Sequence, residues 1–177
     1  KLIFSPTDLC IFMESPFASW MDRLYLEHPD SVTPDEVAED QEMLMKRGIQ
    51  HEKTFVEDLT RANHQVIEIP GTGDRLVDTV TEMRNGTEIV YQGALSHGRF
   101  QGFSDFLARV DGDATLGTYH YEVWDTKLAK KAKPYYLIQL CCYSDMLEQM
   151  QGRRPEFVRV VLGTGETKAF RTDDFFY

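Results

Sequence analysis

Two aspartates and a lysine carry the most specific chemistry in this chain. Asp125 and Lys127 stand two residues apart in the stretch Tyr121-Glu122-Val123-Trp124-Asp125-Thr126-Lys127, which reads as a β-strand. Side chains on a strand alternate faces, so Asp125 and Lys127 project together, about 7 Å apart at a rise of roughly 3.3 Å per residue, while Trp124 and Thr126 project the other way. Asp105, in Gly102-Phe103-Ser104-Asp105, belongs to the preceding strand, which is expected to lie alongside. Two carboxylates suit a hard cation such as Mg2+ or Mn2+, which keeps several waters and shares ligands with phosphate. A lysine beside an acid on a strand face buried beneath a helix costs desolvation unless the charges are paired or bind something. The chemistry implied is a metal-activated water attacking a phosphodiester. An Asp-x-Lys on its own is ordinarily a surface ion pair. Its strand context, Asp105 and the helix that follows argue against that reading here.

Three weaker features surround this centre. On a helix expected from Pro134, Tyr135, Gln139 and Tyr143 recur every four residues beside the apolar positions Leu137, Leu140, Cys141, Ser144 and Leu147. Gln139 and Tyr143 have the chemistry to hold a phosphate or orient the lysine, aided by the positive end of the helix dipole; plain amphipathic packing is the alternative. In Gly48-Ile49-Gln50-His51, an imidazole offers a nitrogen ligand that tilts preference toward Mn2+, although a lone helical histidine is more often packed or solvated. Lys127, Lys130, Lys131 and Lys133 form a basic rim that would suit a polyanionic substrate; seen alone, such a run is a solvated loop.

The elements that must position these residues follow from local signals. Ser5-Pro6 reads as an N-cap with proline at the first helical position, and the helix ends near Ser15-Pro16. A second helical stretch through Trp20, Leu24 and Tyr25 stops by Pro29. Thr33-Pro34-Asp35-Glu36 has capping-box spacing and should open a long helix to about Asn63, with Gly48 as a break point. Residues 65–69 read as a short strand, and Leu76, Val77, Val80 and Met83 as a helix closed by Asn85-Gly86. The period then becomes two, giving antiparallel strands over 88–95, 100–110 and 119–128, with turns at Ser96-His97-Gly98 and Asp111-Gly112-Asp113. A helix over 134–151, a strand over 157–162 and an edge strand over 167–170 complete an α/β fold, a mixed sheet covered by helices.

Composition sets the outer bounds. At 177 residues, 42% of them hydrophobic, the chain is long enough for one core to bury roughly 70% of the unfolded surface, so one domain is expected. It comprises a helical region over 1–30 and a core over 34–177. The net charge of −10 argues superficially against nucleic acid, but the acid is concentrated between Glu27 and Asp58, away from the lysine rim. No segment approaches the length of a membrane span and no signal-peptide pattern opens the chain, so a cytoplasmic protein without a membrane partner is expected. The start at Lys1, without a methionine, suggests a piece of a longer polypeptide. Cys10, Cys141 and Cys142 are too few for a four-ligand zinc or iron–sulfur site and read as reduced core residues.

Taken together, these residues resemble the PD-(D/E)XK nuclease superfamily, and more narrowly its RecB-like branch, found alone or joined to helicases. That branch carries Gly-x-x-His on a helix, Gly-x-x-Asp and Asp/Glu-x-Lys on successive strands, and Gln-x-x-x-Tyr on a helix. Here the same order is Gly48 to His51, Gly102 to Asp105, Asp125 to Lys127 and Gln139 to Tyr143. The resemblance implies a restriction-endonuclease-like core, a three-strand antiparallel meander plus a further strand flanked by helices. It also implies an Mg2+- or Mn2+-dependent (exo)deoxyribonuclease acting on single-stranded or end-containing DNA. By resemblance, His51, Asp105, Asp125 and the carbonyl of Thr126 hold the metal. Lys127 positions the attacking water, Gln139 and Tyr143 orient the lysine or the DNA backbone, and a helicase is the implied partner. Many relatives, including CRISPR-associated ones, carry an iron–sulfur cluster; Ser15-Pro16 stands in place of its first Cys-Pro and no cysteine follows Cys142, so no cluster is expected. The rival readings are a catalytically silent DNA-binding or scaffolding module and an RNA or nucleotide phosphodiesterase.

Overall fold

The computed structural model describes residues 2–35 and 38–176, and its helix ends follow the capping chemistry of the sequence. Helix α1 (Pro6–Glu14) opens on a reciprocal cap: Asp8 N donates to Ser5 Oγ at 3.2 Å, and Ser5 N donates to Asp8 Oδ2 at 2.7 Å. Ser15 ends α1 and caps α2 (Pro16–Glu27), its Oγ accepting from Ala18 N at 3.1 Å. Helix α3 (Glu39–Arg61) starts later than the Thr33 signal suggested. Glu36 of that expected capping box lies outside the described residues. Ala38 offers no side-chain cap, and the acidic first turn of Glu39, Asp40 and Glu42 complements the helix dipole instead. Gly48 does not interrupt α3, which runs through it unbroken.

Six strands form one mixed sheet in sequential order, from β1 (Val66–Glu68) through β2 (Ile89–His97), β3 (Phe100–Ala114), β4 (Gly117–Lys127) and β5 (Phe157–Leu162) to β6 (Thr167–Arg171). The pairs β1–β2 and β4–β5 are parallel and the others antiparallel. Parallel neighbours need a crossover, and helices α4 (Arg75–Asn85) and α5 (Pro134–Gln151) supply the two required. The α/β class and the meander β2–β3–β4 are as the sequence patterns indicate. The β3–β4 turn is not. Asp111-Gly112-Asp113 has turn composition, yet β3 continues to Ala114, which pairs with Gly117 across a register shift. A bulge absorbs the polar triplet within the ladder.

Each face of the sheet has its own apolar cluster. Leu137, Leu140, Tyr143, Met146 and Leu147 of α5 pack with Val90, Leu95, Leu107, Tyr121, Val123, Val158 and Val160. On the opposite face, Phe55, Val56 and Leu59 of α3 meet Ile89, Tyr91, Phe106 and Trp124. At the last residue of α5, the fully buried Gln151 stands in for a missing strand. Its Oε1 accepts from Tyr121 N at 2.8 Å, and its Nε2 donates to Tyr121 O at 3.0 Å and Arg153 O at 2.9 Å. Pairing of β4 with β5 begins only at Val123 and Val158, so Gln151 satisfies the backbone that β5 does not reach.

Candidate active site

Strands β3 and β4 remain paired as far as Phe106 opposite Trp124. Beyond that point a side chain replaces the backbone ladder: Asp105 Oδ2 accepts from Thr126 N at 2.9 Å and from Thr126 Oγ1 at 3.0 Å. The link fixes Asp105 against the strand that carries Asp125 and Lys127. Asp125 is 4% exposed, and Lys127 Nζ lies 2.7 Å from its Oδ2. That short ion pair is what compensates the burial of the carboxylate. The sequence expectation that Asp105, Asp125 and Lys127 converge therefore holds in the fold.

Burial and crowding set the charges of this group. Desolvation, reinforced by repulsion from Asp105, pushes the Asp125 carboxyl up to about 7 despite the opposing pull of Lys127. For Lys127, burial acts downward, but attraction to Asp125 and Asp105 outweighs it and raises the ammonium above its usual value. Lys127 is thus a cation at neutral pH. Its Nζ also stands 5.3 Å from the centre of the Tyr136 ring, within cation–π range.

The remaining predicted residues fall at varying distances from this centre. Tyr143, almost fully buried, donates to Phe103 O at 2.7 Å and so ties α5 to the strand bearing Asp105. The approach depends on Gly102, where a Cβ would lie 2.7 Å from Pro6 Cδ and 3.1 Å from Tyr143 Cε1. Gln139 Nε2 points to Thr7 Oγ1 of α1 at 3.5 Å, the far limit of a hydrogen bond, rather than toward Lys127. Lys130 and Lys131 are exposed on the segment joining β4 to α5. His51 is half-buried on α3, with an Nε2 that is buried and without a hydrogen-bond partner among the described residues.

Sequence reasoning passed over Glu52. This half-buried carboxylate on α3 accepts from Gln92 Nε2 at 2.5 Å, and burial followed by the nearby Asp105 charge raises its pKa. A signal was available: Glu52, Phe55 and Leu59 follow helical spacing, placing the acid on the sheet-facing side of α3. Tyr136, rather than the stripe residue Tyr135, is the ring nearest the lysine.

Two carboxylates, Asp105 and Asp125, are the oxygen ligands this site could offer a hard divalent cation. His51 Nε2, on α3, is buried without a hydrogen-bond partner among the described residues. Among the described residues no three His, Cys, Asp or Glu side chains stand as a ready-made metal-binding group. Mg2+ asks for less, binding through one or two carboxylates while retaining water.

No protein-family model matches the chain, and no curated protein matches it. Among the described residues no helix is long and apolar enough to cross a membrane.

Proposed function

We propose that this chain is a metal-dependent nuclease that hydrolyses phosphodiester bonds of DNA. The observation that carries the reading is the convergence of Asp105, Asp125 and Lys127 where β3 and β4 part, with the buried Asp125 carboxylate held 2.7 Å from the Lys127 ammonium. Such an arrangement is costly for a structural ion pair, because two acids compete for one lysine in a desolvated setting.

Asp105 and Asp125 would hold Mg2+ or Mn2+, joined, by the resemblance to RecB-like nucleases, by the Thr126 carbonyl and His51. Bound there, the cation supplies a water of lowered pKa and neutralises phosphate charge. The residues of the chain do the rest. Lys127 remains protonated, and its Nζ can orient the water or donate to a non-bridging phosphate oxygen as negative charge builds. In the metal-free protein Asp125 retains a proton near neutral pH, and that proton must leave before its oxygens can ligate a cation. Lys130 and Lys131 provide phosphate contacts beyond the scissile bond. The preference for single-stranded or end-containing DNA, exonucleolytic action and a helicase partner rest on the resemblance to RecB-like nucleases.

The test is incubation of labelled single- and double-stranded DNA, and RNA of the same sequence, with Mg2+ or Mn2+. Wild type is compared with Lys127→Ala and Asp125→Ala. Wild type should cut DNA, and loss of the Lys127 donor should slow cleavage about 10²–10³-fold. Equal cleavage by the variants, or none by wild type with either metal, refutes the assignment. Cleavage confined to RNA would replace the substrate while leaving the site intact.

A further inference from the structure

Gln92, in the middle of β2, adopts φ 58°, the left-handed region that non-glycine residues rarely occupy. It falls at the one gap in the β2–β3 ladder, between the pairs Tyr91 with Phe106 and Gly93 with Ser104, directly across from Asp105. The conformation has a visible consequence for the faces of the strand. Val90 and Leu95 both belong to the cluster beneath α5, although strict alternation would put residues five apart on opposite faces. Tyr91, in contrast, packs with the cluster beneath α3, and Gln92 also reaches α3, where its Nε2 meets Glu52 Oε1 at 2.5 Å. Two consecutive side chains therefore turn toward the same helix.

Of the two, it is Gln92 that donates a hydrogen bond to the Glu52 carboxylate. The backbone is held in place from the other side, where Arg75 donates from Nη2 to Gln92 O at 2.8 Å and stacks 3.7 Å from the centre of the Phe103 ring. A strained residue persists only where its surroundings over-determine it, and such residues concentrate at functional sites. A regular strand would leave Gln92 on the α5 side, with no reach to Glu52.

We infer that Gln92 is a positioning residue whose left-handed backbone and side-chain amide fix Glu52 beside Asp105 at the metal end of the proposed nuclease site. The inference rests on the metal-dependent reading. Gln92 stands across the ladder from Asp105 and holds Glu52 by its amide, so it acts through Glu52, as partners of metal-site residues do when they set ligand orientation.

The experiment measures Mn2+ binding without DNA, as the metal concentration giving half-maximal thermal stabilisation. Proteins compared are wild type, Gln92→Gly, Gln92→Asn, Glu52→Gln and the Gln92→Gly/Glu52→Gln double variant. Glycine and asparagine both tolerate positive φ, so each removes or shortens the amide without adding backbone strain, and Q92N serves if Q92G does not fold. The expected result is an Mn2+ midpoint raised about tenfold in Q92G or Q92N, with the double variant no weaker than E52Q alone. A wild-type midpoint in the Gln92 variants, or additive losses in the double variant, overturns the inference while the nuclease reading stands. No Mn2+ response from wild type overturns both.

Discussion

Replacing Asp125 with asparagine should flatten the pH dependence of stability in the metal-free protein. The folded carboxyl is held near 7, against 3.8 for the unperturbed group, first by burial and then by Asp105. Between those values the unfolded chain has released its proton and the folded chain has not. A raised folded pKa therefore contributes stability that is full below the unfolded value and is lost as pH rises through the folded one. Integrated from pH 5 to pH 7, this one group removes about 2 kcal/mol, or roughly 4–8 °C of Tm in a domain of this size. Glu52 and Glu122, both raised by burial, act in the same direction. His120, lowered by burial, acts oppositely, as does Glu88, lowered by hydrogen bonds from Gln65 and His64. These contributions are common to wild type and Asp125→Asn and cancel in the difference between them. Asparagine keeps an acceptor oxygen for Lys127, so the comparison isolates the titration. The assay is thermal unfolding in chelator across that pH range. Parallel curves for the two proteins would refute the account of a buried, crowded carboxylate.

Two further substitutions test the parts that hold the site. Gln151→Ala should cost about 2–6 kcal/mol in denaturant unfolding, because Tyr121 N–H and C=O would be left buried and unpaired at about 1–3 kcal/mol each. A loss under about 1 kcal/mol would show that the gap is filled another way. Gly102→Ala should cost about 1–3 kcal/mol, since its Cβ would meet the Pro6 ring at 2.7 Å and Tyr143 at 3.1 Å with little freedom to relax. A neutral effect in the same assay would contradict the close packing of β3, α1 and α5.

The residues that end helices were legible because their chemistry is local. Ser5 and Ser15 cap through contacts three residues away, and Gly152 follows α5 in the left-handed conformation that closes many helices. Alternation exposed the meander for the same reason. Where the signal was ambiguous, the outcome turned on partners distant in sequence. Asp111-Gly112-Asp113 looks like a turn until the register with β4 makes it a bulge. Gln139 shares a helical stripe with Tyr143, yet packing of α1 against α5 sends it to Thr7.

The sequence alone determined the α/β class, the element order and the pairing of Asp125 with Lys127 on one strand, because strand period and cap spacing are properties of short segments. It also indicated that Asp105 would join them, since consecutive antiparallel strands are neighbours. Only the tertiary structure decided what surrounds that trio. Desolvation raises Asp125 because the fold buries it, and Glu52 on α3 is drawn to β2 by its bond from Gln92. The left-handed Gln92 shows the limit most clearly. Its neighbours Tyr91 and Gly93 carry no signal for positive φ, and the conformation is sustained by Arg75 and Glu52, partners 17 and 40 residues away in the chain.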